Sequence, residues 1–163
     1  MYHLFLLTNH VQLWYTMYVH KSFYASGFLF HSGSQKILLL QPHNNNDTKL
    51  LLFGSKCHIG NDPATEFQHY IGKALGITIA ASSVHPVYDY MHDTLGEHFI
   101  FFIEVPDMSQ ACYPSNTKAE WFSLSKLSKL NMSEQTRHDI IVGERVIRSL
   151  TAPAHTPQNP VLH

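Results

Sequence analysis

From Ser22 the chain alternates between dense apolar runs and short polar breaks, and this rhythm predicts its elements. Ser22 to His31 is apolar and aromatic, Ser32-Gly33-Ser34 supplies turn chemistry, and Lys36 to Leu40 is aliphatic, so the three together predict a hairpin. A polar stretch, 41–48, predicts an exposed loop before a short strand at Leu50 to Phe53. Asp62-Pro63 then opens a helix, with a capping side chain followed by a proline where no amide hydrogen is needed. Phe67, Ile71 and Leu75 recur every fourth residue as one apolar stripe, and Gly76 provides the left-handed stop. The other side of this helix carries Glu66, His69, Tyr70 and Lys73.

Strand-like stretches follow at Ile77 to Tyr90 and His98 to Val105, separated by a loop with Met91, His92, Asp93 and Gly96. A polar connection from Pro106 to Lys118 leads to a short strand at Ala119 to Phe122, in which Trp121-Phe122 reads as core rather than as a stacking platform. Ser133 caps a second long helix, with Ile140, Ile141, Arg145, Val146 and Leu150 in an amphipathic pattern. The expected organisation is an apolar extension over 1–21, one domain over 22–150 and a mobile proline-containing tail over 151–163.

Composition narrows the picture. With 44% apolar and 14% charged residues the chain suits a globular domain, and a formal charge of −1 with scattered Lys and Arg leaves no basic stripe for a nucleic-acid polymer. Cys57 and Cys112 lack CxxC spacing and are read as reduced thiols of a cytoplasmic protein, Cys57 as an inert one. The 13 histidines show no HxH or HExxH spacing and are expected to be surface or satisfied core residues. The segment from Met1 to His20 is interrupted by His3, Asn9, His10 and Gln12, so no membrane span is expected.

Between Gly54 and Ile77 the chain resembles the signature of the Nudix (MutT-like) hydrolase superfamily: Gly, five residues, Glu, seven residues, Arg-Glu, apolar, any, Glu-Glu, any, Gly, apolar. Gly54-Ser55 stands at the opening Gly-Gly pair, Gly60-Asn61-Asp62-Pro63 resembles the Gly-Glu-Ser-Pro turn, and Leu75-Gly76-Ile77 closes the motif without a gap. The flanking hairpin, strands and final helix follow the family's order. The resemblance implies a Nudix-type α/β/α sandwich with a mixed β-sheet.

The charged positions depart from the pattern. Asn61 replaces the first Glu, His69 and Tyr70 replace Arg-Glu, and Lys73 and Ala74 replace the paired Glu-Glu. Magnesium takes hard oxygen ligands in near-octahedral geometry, which a phenol, an ammonium and a methyl do not supply. At about 4 Å and an effective dielectric near 20, a unit charge on Lys73 would repel each unit of a cation's charge by on the order of 4 kcal/mol.

The expected function is therefore a Nudix-like module without metal-dependent pyrophosphohydrolase activity, binding a nucleotide or another diphosphate-containing small molecule, or serving a protein partner. No metal or other cofactor is expected. Gly54, Ser55, His69, Tyr70 and Lys73 are the ligand-binding candidates, with Lys73 placed to pair with a diphosphate. The alternative is a divergent hydrolase in which Glu66, the one catalytic candidate, joins Asp93, Glu97, Glu104 or Glu120 around Mg2+. A homodimer through the aromatic N-terminal segment is a third expectation.

Overall fold

The computed structural model of the chain describes residues 22–41, 49–58, 60–94, 96–110 and 118–151. The expectations placed on 1–21, on Cys112 and on 152–163 lie outside the described residues.

The strands are β1 (Ser22–His31), β2 (Lys36–Leu40), β3 (Phe53–His58), β4 (Val84–His92), β5 (Gly96–Glu104) and β6 (Ala119–Ser123). They form one mixed sheet in the order β4-β5-β1-β2-β6. β1 runs parallel to β5 along one edge, while its other edge is shared: β3 pairs with Ser22 to Gly27 and β2 with Leu29 to His31, so the sheet forks there. Helix α1 (Pro63–Leu75) packs against β1 and β3, and α2 (Glu134–Thr151) against β4 and β5.

Alternation along β1 assigns its side chains to two cores. Phe23, Ala25 and Leu29 join Phe67, Ile71 and Leu75 of α1. Phe28 and Phe30 join Phe102 of β5 and Ile140 and Ile147 of α2. Two faces of one sheet, each covered by a helix, make the sandwich expected from the sequence. Gly27 is needed where β1 and β5 approach under α1: a Cβ there would lie 1.9 Å from the Phe101 carbonyl oxygen.

Helix α1 starts and stops as its sequence dictates. Asp62 Oδ2 accepts from the Thr65 backbone N–H at 2.8 Å, Pro63 occupies the first turn, and Gly76 closes the helix at φ 64°. Several details differ from expectation. The strand placed at Leu50 to Phe53 runs instead from Phe53 to His58, with Phe53 and Cys57 alternating into the core, and Leu50 and Leu51 make only isolated bridges to Met132 and Leu40. Residues 77–80 join no strand and lead into a short 3-10 turn, so β4 begins only at Val84 and takes in Met91 and His92. In α2 the buried positions are Thr136, Asp139, Ile140, Gly143 and Ile147, whereas Ile141 and Leu150 are exposed. Among the described residues, no helix is long and apolar enough to cross a membrane.

Candidate functional site

The exposed side of α1 carries the positions that match the family motif. His69 and Lys73 are exposed, so the repulsion expected from Lys73 is screened by water and falls well below the unscreened figure. Tyr70 and Ala74 are half-buried and pack against the same core as Phe67 and Ile71. Glu66, the sole carboxylate within α1, accepts through Oε1 from Asn61 Nδ2 at 2.7 Å. A phenol and a methyl in apolar contact beside one already bonded carboxylate do not fit magnesium, which needs several oxygens on one turn. Among the described residues, no three His, Cys, Asp or Glu side chains converge as a metal site.

Gly54 and Ser55, the ligand-binding candidates at the opening pair of the motif, lie within β3 opposite Ser26 and Ala25 of β1. Gly54 has a packing role there, since a Cβ would meet the Ser26 Cβ at 2.6 Å and the Tyr24 ring at 2.9 Å. Ser55 Oγ lies 3.7 Å from Cys57 Sγ, and burial pushes the Cys57 thiol above its ordinary pKa, which makes it a poor nucleophile at neutral pH.

The chemically richest cavity lies on the opposite face of the sheet, beside the N-terminus of α2. It has a volume of about 220 Å3, opens to solvent, and is lined by Tyr24 and Ser26 of β1, Leu51 and Leu52, Tyr90 and His92 of β4, His98 of β5, and Ser133, Gln135, Thr136 and Asp139. None of Gly54, Ser55, Glu66, His69, Tyr70 and Lys73 lines it.

Strand alternation explains the polar floor: Ser26 shares a face with Phe28, and His98 shares one with Ile100 and Phe102, so each polar group is carried inward by its apolar neighbours. Ser26 Oγ and His98 Nε2 share a hydrogen bond of 2.7 Å, with Ser26 3% and His98 7% exposed. His98 Nδ1 and the Tyr90 hydroxyl are shielded from solvent and have no partner among the described residues. The ring of His98 lies 4.9 Å from that of Tyr90 and 5.0 Å from that of Tyr24.

Burial, with His92 adding to it, lowers the His98 pKa to about 4, so the imidazole is neutral at neutral pH and offers one donor and one acceptor. Beside it, Asp139 is 2% exposed; its Oδ1 accepts from the Tyr88 hydroxyl and, at 2.7 Å, from Gln135 Nε2. Burial raises the Asp139 pKa against these bonds, and burial followed by the Asp139 charge pushes Tyr90 up to about 12. The phenol therefore stays protonated and able to donate. The arrangement can hold a polar ring edge-on through neutral donors and acceptors, with the side chains of Tyr24, Leu51 and Leu52 around it.

Sequence reasoning missed this cavity because it treated the histidines as a group. The usable signal is positional: Ser26 is a polar residue inside an otherwise apolar strand run, and His98 opens the apolar run of the next.

No family model and no curated protein matches the sequence. Solved structures do match the fold. A mutT/nudix family protein from Listeria innocua superposes with a TM-score of 0.64 at 12% identity, covering 80% of this chain and 96% of that one. MutT, from a study of the Aliivibrio salmonicida and Vibrio cholerae proteins, gives 0.59 at 14% identity, covering 78% and 97%. The NUDIX domain of Shewanella oneidensis NrtR, crystallised with ADP ribose, gives 0.57 at 11% identity, covering 77% and 86%. At these identities the likeness establishes architecture, and together with the mixed sheet between two helices it shows that the chain has the Nudix fold.

Proposed function

We propose that the protein binds a nucleotide derivative in the cavity beside α2 and does not hydrolyse it by the metal-dependent route. The observation that carries this reading is the pair of solvent-shielded groups without partners, His98 Nδ1 and the Tyr90 hydroxyl, on the floor of an open cavity. Each buried polar group left unsatisfied costs about 1–3 kcal/mol, which a ligand of complementary donors and acceptors recovers. A heterocyclic base has such an edge. A cavity of about 220 Å3 suits one end of the ligand, with its diphosphate outside the mouth. That a Nudix-fold neighbour was crystallised with ADP ribose supports this ligand class. The lack of hydrolysis is supported by the donor set on α1, where Tyr70, Lys73 and Ala74 offer no carboxylate.

The test is calorimetric titration with ADP-ribose, with and without magnesium, alongside product analysis. Saturable binding that is indifferent to magnesium, weakened about tenfold or more in Tyr90→Phe by loss of one hydrogen bond, and free of turnover is the expected result. Magnesium-dependent release of products by the unaltered protein would overturn the non-hydrolytic reading. Binding unchanged in both Tyr90→Phe and His98→Gln would overturn the assignment of the cavity.

A further inference from the structure

A second cavity, also of about 220 Å3, lies on the α1 side of the sheet, against residues 77–80 where the chain leaves that helix. The strand registers place its floor and one wall. Ile103, Leu29, Leu38 and Trp121 stand in one row across β5, β1, β2 and β6 and belong to the same core. Leu29, Ile103 and Trp121 line the cavity, whereas Leu38, between Leu29 and Trp121 in the row, does not and is fully buried. With strands about 4.8 Å apart, the Trp121 ring therefore reaches across Leu38 toward β1 to meet the space above Leu29.

Two carbonyls of the remaining walls are already bonded. Gln68 Nε2 of α1 donates to the Ile79 carbonyl at 2.6 Å. His31 Nδ1 accepts from the Ser34 backbone N–H at 3.1 Å, leaving Nε2–H to donate to the Pro106 carbonyl at 3.2 Å. What is left over is a donor: the Trp121 indole N–H is shielded from solvent and has no partner among the described residues. Trp121 is half-buried, so its ring can turn that N–H onto a seated acceptor while staying packed on the core.

Charge argues against an ion. Glu104 pairs with Phe30 and shares its face, so the carboxylate is carried to the α2 side of the sheet. Asp107 is exposed; the Ser109 backbone N–H and then the Ser109 hydroxyl hold its carboxyl below the ordinary value, so it is charged at neutral pH and disfavours an anion nearby. A cation would be desolvated among Leu29, Ile103 and Val105 beside a hydrogen-bond donor.

We propose that this cavity binds a neutral molecule of about one ring that carries an accepting carbonyl, a ketone, ester or amide, which takes the Trp121 N–H. Three features agree on that class. A cavity of roughly 150 Å3 already holds benzene, the aliphatic lining receives carbon, and a shielded donor without a partner favours an acceptor. The site stands independently of the nucleotide-binding reading, whose cavity shares no residue with this one.

The probes are acetophenone and α-methylstyrene, which share a shape and differ in carrying C=O or C=CH2. In the full chain with Trp14→Phe, the remaining indole N–H signal is that of Trp121. Acetophenone should bind saturably at millimolar concentration, move the indole proton downfield and give nuclear Overhauser contacts to the methyl groups of Leu29 and Ile103. α-Methylstyrene should give the same contacts without the downfield move. Trp121→Phe keeps an aromatic wall and loses the N–H, so the ratio of ketone to alkene affinity, read from the methyl signals, should fall about threefold to tenfold. Where that variant does not fold, the indole proton of the parent decides. An equal indole response to both probes, an unchanged affinity ratio in folded Trp121→Phe, or no saturable response to acetophenone would each overturn the proposal.

Discussion

His98 shows how one buried side chain ties stability to pH. Its pKa is about 4 in the folded chain against an ordinary 6.5, so the unfolded chain takes up a proton well before the folded one does. Stability from this group is complete above pH 6.5 and is lost as pH falls toward 4. The loss at pH 5 comes to about 2 kcal/mol and approaches 3 kcal/mol lower down, on linkage arithmetic. Asp139 acts in the opposite sense, because its raised pKa lets the folded chain take a proton before the unfolded one, returning part of that loss at the acidic end. Urea midpoints measured from pH 7 to 5 should therefore fall in the unaltered protein and stay nearly level in His98→Gln. Parallel curves would show that His98 is not the group responsible. In the sequence His98 stands directly before the apolar run Phe99, Ile100 and Phe101, but its partner Ser26 lies 72 positions away. Only the parallel register, in which Tyr24 faces His98, brings them together.

At the scale of elements, legibility followed the locality of the forces. Helix α1 is set by contacts within its own span, from the Asp62 cap to the Gly76 stop, and its apolar stripe was read residue for residue. Replacing Asp62 with Ala removes the acceptor for both the Thr65 amide and its hydroxyl, and should cost about 1 kcal/mol, seen as a lower thermal midpoint with unchanged far-ultraviolet dichroism. An unchanged midpoint would show that packing alone holds the helix start. β3 departs from its local pattern for the opposite reason. Leu50 to Phe53 is locally the better strand former, yet Gly54 and Ser55 enter the sheet because they pair across to Ser26 and Ala25. β4 begins late and carries a register shift between Pro86 and Tyr88, where proline brings no N–H to the ladder. α2 begins after Ser133 as its cap dictates, but its buried side includes Asp139 and Gly143, which a count of apolar residues passes over. The site is the least legible part: the motif positions draw attention to α1, whereas the polar cavity is assembled from β1, β4, β5 and α2, each contributing one to three residues.

For the whole molecule, β1 decides whether the two faces behave as one. It gives Phe23, Ala25 and Leu29 to the core under α1, and Phe28 and Phe30 to the core under α2, while its backbone pairs with β2, β3 and β5. Phe28 is fully buried, stacks near Phe102 and fills the space that a Cβ on Gly143 would enter, 2.6 Å from its ring. On the other side Phe67 is equally buried and stacks on Phe101. Phe28→Ala and Phe67→Ala should each cost about 3–5 kcal/mol, a large share of the roughly 5–15 kcal/mol typical of a domain. Because the strand that links the cores cannot leave one without exposing the other, either substitution should lower a single transition rather than split it. In a Trp14→Phe background, tryptophan fluorescence reports the α1 side through Trp121, which packs there, and far-ultraviolet dichroism reports both helices. Coincident melting by the two probes in both variants is the expected result. Separate transitions, with the α1 side surviving in Phe28→Ala, would mean that the faces fold independently and that β1 transmits nothing between the motif helix and the polar cavity.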